Sequence, residues 1–149
     1  MRRWVQRARR EDGAALIEAA FTLPIMLLVC VGILEFGRAY QAWQVVTNAS
    51  REGARIAILP EYPNAAVTAR VKTYLTNGGL EAAKVAATNV VITETTVPIS
   101  GAVTAPAASV RVEFPFEFMV LQPVSSLVVK NSKAGESFTM VATTVMRNE

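Results

Sequence analysis

The chain has 149 residues, of which 52% are hydrophobic, and a formal net charge of +3 with no histidine. The lack of histidine excludes His-based metal sites, Ser-His-Asp hydrolysis and Cys-His nucleophiles. The single cysteine, Cys30, excludes an internal disulfide.

The first ten residues hold Arg2, Arg3, Arg7, Arg9 and Arg10, and Glu11 and Asp12 follow, so residues 1–13 carry the whole net charge of +3 and the remainder balances at zero. A basic stretch can be a solvated charge run or a nucleic-acid arm. Here the neighbouring segment accounts for it, and no nucleic-acid partner is expected. From Ala14 to Leu34 run 21 residues with one charge, Glu18. A bilayer core of about 30 Å needs roughly 20 helical residues, so this run is long enough to span, with the membrane-embedded part at about 14–36. The arginine excess before it predicts a cytoplasmic N-terminus and a translocated remainder. Cys30 reads as a small apolar residue within the span. Pro24 removes a helix hydrogen bond and predicts a kink, which membrane helices tolerate. It serves either as a simple bend or as a bend used when the subunit packs into an assembly.

Glu18 is the residue that needs a reason, since a carboxylate among lipid tails costs roughly 2.5–3.5 kcal/mol on insertion scales. Three readings of the run compete. A secretory signal peptide needs a small-residue cleavage site after the apolar stretch, and Glu35-Phe-Gly-Arg-Ala-Tyr-Gln41 makes a poor one. A plain signal anchor leaves Glu18 as an interfacial residue that snorkels. In the third reading cleavage precedes the run, and the helix stays in the mature protein.

Beyond Leu34 the helical period continues. Phe36, Tyr40, Trp43, Val46, Ala49, Gly53 and Ile56 fall on one half of the wheel, and Arg38, Gln41, Gln44, Asn48, Arg51, Glu52 and Arg55 on the other. Pro60 stops the pattern near Leu59. Residues 14–59 then form one helix of about 69 Å, more than twice the membrane core. Its apolar half needs a cover, for which a folded head is the natural candidate. Tyr40 and Trp43 read equally as interfacial anchors or as residues packed by the head. Arg51, Glu52 and Arg55 are spaced for ion pairs on a solvated surface.

After Pro60 and Pro63, Ala65–Thr76 reads as a second helix, stopped by Asn77-Gly78-Gly79. Val90–Val97 is rich in β-branched residues and reads as a strand. Ser100–Pro106 reads as a turn. Ser109–Phe118 alternates, with Val110, Val112, Phe114, Phe116 and Phe118 facing one way and Arg111, Glu113 and Glu117 the other. Pro115 makes the far end of this strand an edge or a bulge. Met119–Val129 is open between a short helix broken near Pro123 and other structure, Lys130–Glu136 reads as a loop, and Ser137–Arg147 as a final strand. The fold class is therefore α+β. A long N-terminal membrane-spanning and amphipathic helix is followed by a small head with a second helix and an antiparallel sheet of about three strands. The divisions fall at 1–13 (basic leader), 14–59 (long helix) and 60–149 (head). No phosphate-binding glycine loop is present, and Glu94, Glu113 and Glu117 lie on polar strand faces. No catalytic, cofactor or metal residue is assigned, and the chain reads as a non-enzyme.

The basic leader, Gly13-Ala-Ala-Leu-Ile-Glu18-Ala-Ala-Phe-Thr-Leu-Pro24, Glu35-Phe-Gly-Arg38, Ala49-Ser-Arg-Glu-Gly-Ala-Arg55 and the C-terminal Ala142-Thr-Thr-Val-Met-Arg147 together resemble the TadE-like branch of the type IV pilin-like superfamily, the minor pseudopilins of tight-adherence (Flp) pilus systems. Most of the specificity lies in residues 10–59. Ala14 departs from the aromatic residue that many pilins carry there. The resemblance implies cleavage between Gly13 and Ala14 by a prepilin peptidase. It also implies that Glu18, at mature position five, pairs with the new N-terminal amine, its own or a neighbour's, and thereby sets the register of assembly. The implied partners are the peptidase, the major Flp-type pilin, other minor pseudopilins, the inner-membrane assembly platform and membrane lipid. The implied location is the bacterial inner membrane with a periplasmic head. The alternatives are a signal-anchored periplasmic binding or scaffold protein that never assembles, and a membrane-tethered enzyme.

Overall fold

The structure is a computed structural model that describes residues 2–100, 103–123 and 135–148. Its dominant element is α1, Arg2–Ala57, a single helix of 56 residues that is about 84 Å long at 1.5 Å per residue. It begins twelve residues earlier than the sequence predicts. The leader's Arg, Gln, Ala and Glu are good helix formers, and the assignment runs without a break through both Gly13 and Pro24. At the other end the helix tightens into a last turn, with Leu59 N–H donating to the Ile56 carbonyl at 3.0 Å, just before Pro60.

Helix α2, Asn64–Asn77, matches the predicted second helix to within a residue at each end. Its buried side is Val67, Val71 and Leu75, at the i, i+4, i+8 spacing of one face. Gly79, at φ +80°, makes the reversal that ends it. There the amides of Gly78 and Leu80 reach back to the Tyr74 and Leu75 carbonyls at 2.9 and 3.3 Å. A five-residue helix, α3 (Ala82–Ala86), follows where no element was expected, and it buries Val85.

Three strands complete the head: β1 (Asn89–Ser100), β2 (Val103–Phe116) and β3 (Phe138–Arg147). They form an antiparallel sheet in the order β1-β2-β3. The alternation expected in β2 is present: Val110, Val112, Phe114 and Phe116 are buried and Arg111 is exposed. These four side chains share a core with Ala42, Val46, Ala49 and Ala54 of α1, the buried face of α2, and Met140 and Ala142 of β3. The sheet thus lies along one side of the upper half of α1, with α2 beside it.

The turn predicted over Ser100–Pro106 is corrected. Residues 101 and 102 lie outside the described residues, but β2 already begins at Val103 and carries Pro106 within it. Ala-Pro-Ala-Ala looks loop-like by composition, yet the ladder with β1 imposes extended backbone, pairing Val97 with Ala105 and Thr96 with Pro106. Proline is harmless at this position. Its carbonyl accepts from Asn148 N–H at 2.9 Å, so its missing donor faces the β3 side, where the ladder ends at Ala107↔Arg147. Pro115, an odd number of residues away, faces the opposite side, where β1 has ended at Asn89↔Glu113. The edge expected at Pro115 is therefore an edge on that side only. The predicted short helix over Met119–Val129 survives as one helical turn at 121–123, and the rest of that segment, with most of the Lys130–Glu136 loop, falls outside the described residues.

Candidate functional site

The residues singled out by sequence lie on the first half of α1. Glu18 is exposed, as is Ala14 one turn before it on the same face. A side chain built at Gly13 would meet nothing within 4 Å, so no other part of the described chain crowds this position. The segment has a mean hydropathy of 2.3 over its most apolar window, none of which is buried against the protein. Leu16, Ile17, Phe21, Leu28, Ile33 and Leu34 are all exposed. Bare apolar surface on this scale requires another medium or another chain. One helix among the described residues is long and apolar enough to cross a membrane. Pro24 sits within it, and Cys30 is a free, exposed thiol.

The character of the helix changes at Glu35. This carboxylate, one residue past the apolar run, is only 3% exposed. It accepts from Met119 N–H at 3.1 Å to each oxygen and from Val120 N–H at 3.0 Å. It also pairs with Arg38 Nη1 at 3.1 Å. Every strong acceptor site on a buried carboxylate is thus engaged, which is what makes its burial tolerable. The aliphatic and aromatic neighbours complete the joint. Phe36 meets Phe118 edge-on at 6.2 Å between centroids, and Phe118 meets Phe116 at 5.4 Å. Phe138 stacks obliquely on Phe116 at 5.5 Å, and the Arg38 guanidinium lies 5.6 Å from the centre of the Phe116 ring. The sequence offered Glu35 only as part of Glu-Phe-Gly-Arg. The available signal was an acid directly after the apolar run with an arginine three residues on.

Above this joint α1 is packed by small residues. Ala42, Val46, Ala49, Ser50, Gly53 and Ala54 are buried. Ser50 Oγ lies 2.8 Å from both the Thr47 carbonyl and Thr144 Oγ1, which ties α1 to β3. At Gly53 an added Cβ would lie 2.6 Å from Val71 Cγ2 and 3.1 Å from Val110 Cγ1, so α2 and β2 approach the helix there as closely as glycine allows.

The predicted buried half of the helix is corrected at its lower end. Val46, Ala49, Gly53 and Ile56 are covered wholly or in part, but Phe36, Tyr40 and Trp43 remain 63%, 66% and 43% exposed. The buried line runs one residue earlier, through Glu35, Ala39 and Ala42, because small side chains let the sheet come close where rings would hold it off. Tyr40 and Trp43 therefore lie outside the buried core shared with the head. Tyr40 instead lines an open groove of about 750 Å³ between α1 and α2, with Gln41, Gln44, Tyr74 and Asn77.

The solvated ion pair expected between Glu52 and Arg55 is present and extends to α2, with Arg55 Nε and Arg70 Nη2 at 3.1 and 2.9 Å from the carboxylate. The Arg55 hydrogen bond first, and the Arg70 hydrogen bond second, hold the Glu52 carboxyl below its ordinary value of 4.5. Among the described residues no three His, Cys, Asp or Glu side chains gather as a metal site.

Residues 13–55 match the family model described as TadE-like protein. The matched segment begins at the glycine before the apolar run and ends within the packed half of α1, and it is the family that the sequence resembles. The match ties the chain, in general terms, to pilus-related membrane proteins. No curated protein and no solved structure gives a significant match.

Proposed function

We propose, taking the TadE-like segment at residues 13–55 as the premise, that the chain is a minor pseudopilin that takes part in assembling a bacterial tight-adherence (Flp-type) pilus or a related secretion filament. The observation that carries the proposal is the division of α1. Its first half is apolar and unpartnered, with a lone acid five residues after Gly13. Its second half is welded to the head through Glu35 and Gly53.

On this reading the arginine-rich leader keeps the N-terminus cytoplasmic and the head is periplasmic. A prepilin peptidase cuts between Gly13 and Ala14, and glycine lets the enzyme hold the backbone closely on both sides of the bond. Cleavage creates an ammonium group on Ala14, one helical turn from Glu18. The carboxylate then pairs with that amine on a neighbouring subunit. A buried charge without a partner is strongly disfavoured, so correct axial docking is rewarded and a slipped register penalised. Pro24 supplies a bend between the site of pairing and the head. The partners are the peptidase, the major pilin, other minor pseudopilins, the assembly platform and membrane lipid.

The test is the mass of the mature chain from cells with and without the peptidase. Ala14 as the first residue only when the peptidase is present supports the reading. An intact Met1 in both strains points to a signal-anchored scaffold instead, and processing beyond Leu34 to a secreted head.

A further inference from the structure

We infer that the base of the head, formed by Phe36 and the segment Met119–Leu121, sits in the head-group region of the bilayer that α1 crosses, so that the protein touches lipid through its head as well as through its span. The inference rests on the reading of Ala14–Leu34 as membrane-spanning and goes beyond it. First, the loop after β2 lies level with the end of the apolar run. Its Met119 and Val120 amides lie 3.0–3.1 Å from Glu35, the residue directly after the apolar run. Side chains on a helix lean toward its N-terminus, so the Glu35 carboxylate reaches back along the span rather than away from it.

Second, the surface presented there is apolar and continuous with the span. Met119 is 67% exposed and Val120 41%, and Ile33, Leu34 and Phe36, which flank Glu35 in α1, are exposed as well. Irregular backbone at membrane depth is tolerated only where its polar groups are satisfied by protein. The two amides that face this level are satisfied, by a carboxylate that is itself buried and neutralised by Arg38. Glu35 thus removes the polar groups that would otherwise keep this loop in water. Side chains seated in this way lie about 5–10 Å into the head-group and acyl boundary. The occupant of the surface is phospholipid, because its neighbours on the molecule are the span's own lipid-facing residues.

The experiment uses the full chain in vesicles of mixed zwitterionic and anionic phospholipid, in which a fraction of the lipid carries bromine, in one preparation near the head-group end of its acyl chains and in a second near their methyl end. Trp4 and Trp43 are replaced by Phe, and one tryptophan is returned in each of four variants: Met119→Trp and Phe36→Trp at the base, Ile25→Trp in the span, and Val103→Trp at the far end of the sheet. Positions 119, 36, 25 and 103 are all exposed, so each substitution leaves the core alone. Brominated lipid should quench the emission of Met119→Trp, Phe36→Trp and Ile25→Trp and leave Val103→Trp unchanged. Met119→Trp emission as insensitive as that of Val103→Trp, with Ile25→Trp quenched, overturns the inference and leaves the span intact. Blue-shifted but unquenched emission at 119 and 36 assigns the patch to another copy of the chain and overturns it too. Unquenched Ile25→Trp removes the span reading and this inference together.

Discussion

Two halves of one helix make the most instructive comparison in this molecule. From Ala14 to Leu34, α1 carries Leu, Ile, Met and Phe and touches almost nothing in its own chain. From Glu35 to Ala57 it carries Ala, Gly, Ser and Val on one side and forms the spine of the core. The more hydrophobic half is the unpacked one. Burial in this chain follows the size of the side chain at a contact, since small residues allow β2, β3 and α2 to approach the backbone. Large apolar residues are kept for lipid, for other subunits, or for both. The first half holds one acid, Glu18, and the second opens on another, Glu35, and these two differ in kind. Glu35 finds its partners within the chain, while Glu18 has none among the described residues.

Four ways of pressing on that comparison follow, in falling order of expected effect. Phe114→Ala removes the largest fully buried side chain of the core that β2 builds against the packed half and should cost about 3–5 kcal/mol of head stability, read by denaturant unfolding of the detergent-solubilised chain. Phe21→Ala in the unpacked half should leave that midpoint unchanged. Glu35→Ala strands two amides and Arg38, with an expected loss of about 2–3 kcal/mol, or roughly 4–8 °C in Tm per kcal/mol for a domain of this order. Glu35→Gln, which keeps an acceptor oxygen, should lose less. Glycine substitution separates the halves most cleanly. Gly53→Ala pushes a methyl into Val71 and Val110 and should cost about 1–3 kcal/mol, while Gly32→Ala meets open space and should be neutral or gain up to about 1 kcal/mol from helix propensity.

The smallest effect is pH-dependent. The folded carboxyl of Glu52 is depressed by Arg55 and Arg70, so the unfolded chain takes up its proton first as pH falls. Its contribution is present in full above about pH 4.5 and is lost as pH drops through the lower folded value. Both arginines are well exposed, which limits the contribution to under about 1 kcal/mol. Glu52→Gln should therefore cost up to about 1 kcal/mol at neutral pH, cost nothing once pH falls below the folded value, and so flatten the acid limb of stability slightly.

Much of this architecture was legible in the residues. Period 3.6 gave α1 past the membrane, period 2 gave the buried face of β2, and Asn77-Gly78-Gly79 gave the end of α2. What escaped has physical causes. Pro106 lies within a strand because its missing donor faces a gap that only the strand register reveals. Phe36, Tyr40 and Trp43 stay outside because a wheel weights ring size as burial, whereas the contact selects closeness of approach. The Glu35 clasp joins residues 84 and 85 positions apart, and no local pattern carries that pairing. Of the residues proposed to act in assembly, the spacing of Gly13 and Glu18 was plain, but the partner proposed for Glu18 is the amine of a processed terminus, which the unprocessed chain does not contain.

The most direct measurement sets the two acids against each other, with Glu18→Gln and Glu35→Gln each scored for head Tm and for pilus yield in cells. Glu18→Gln should keep the Tm of the parent and lose the filament, since an unmatched pairing of about 3 kcal/mol weakens docking by roughly a hundredfold. Glu35→Gln should lower the Tm. Normal filaments from Glu18→Gln would contradict the account.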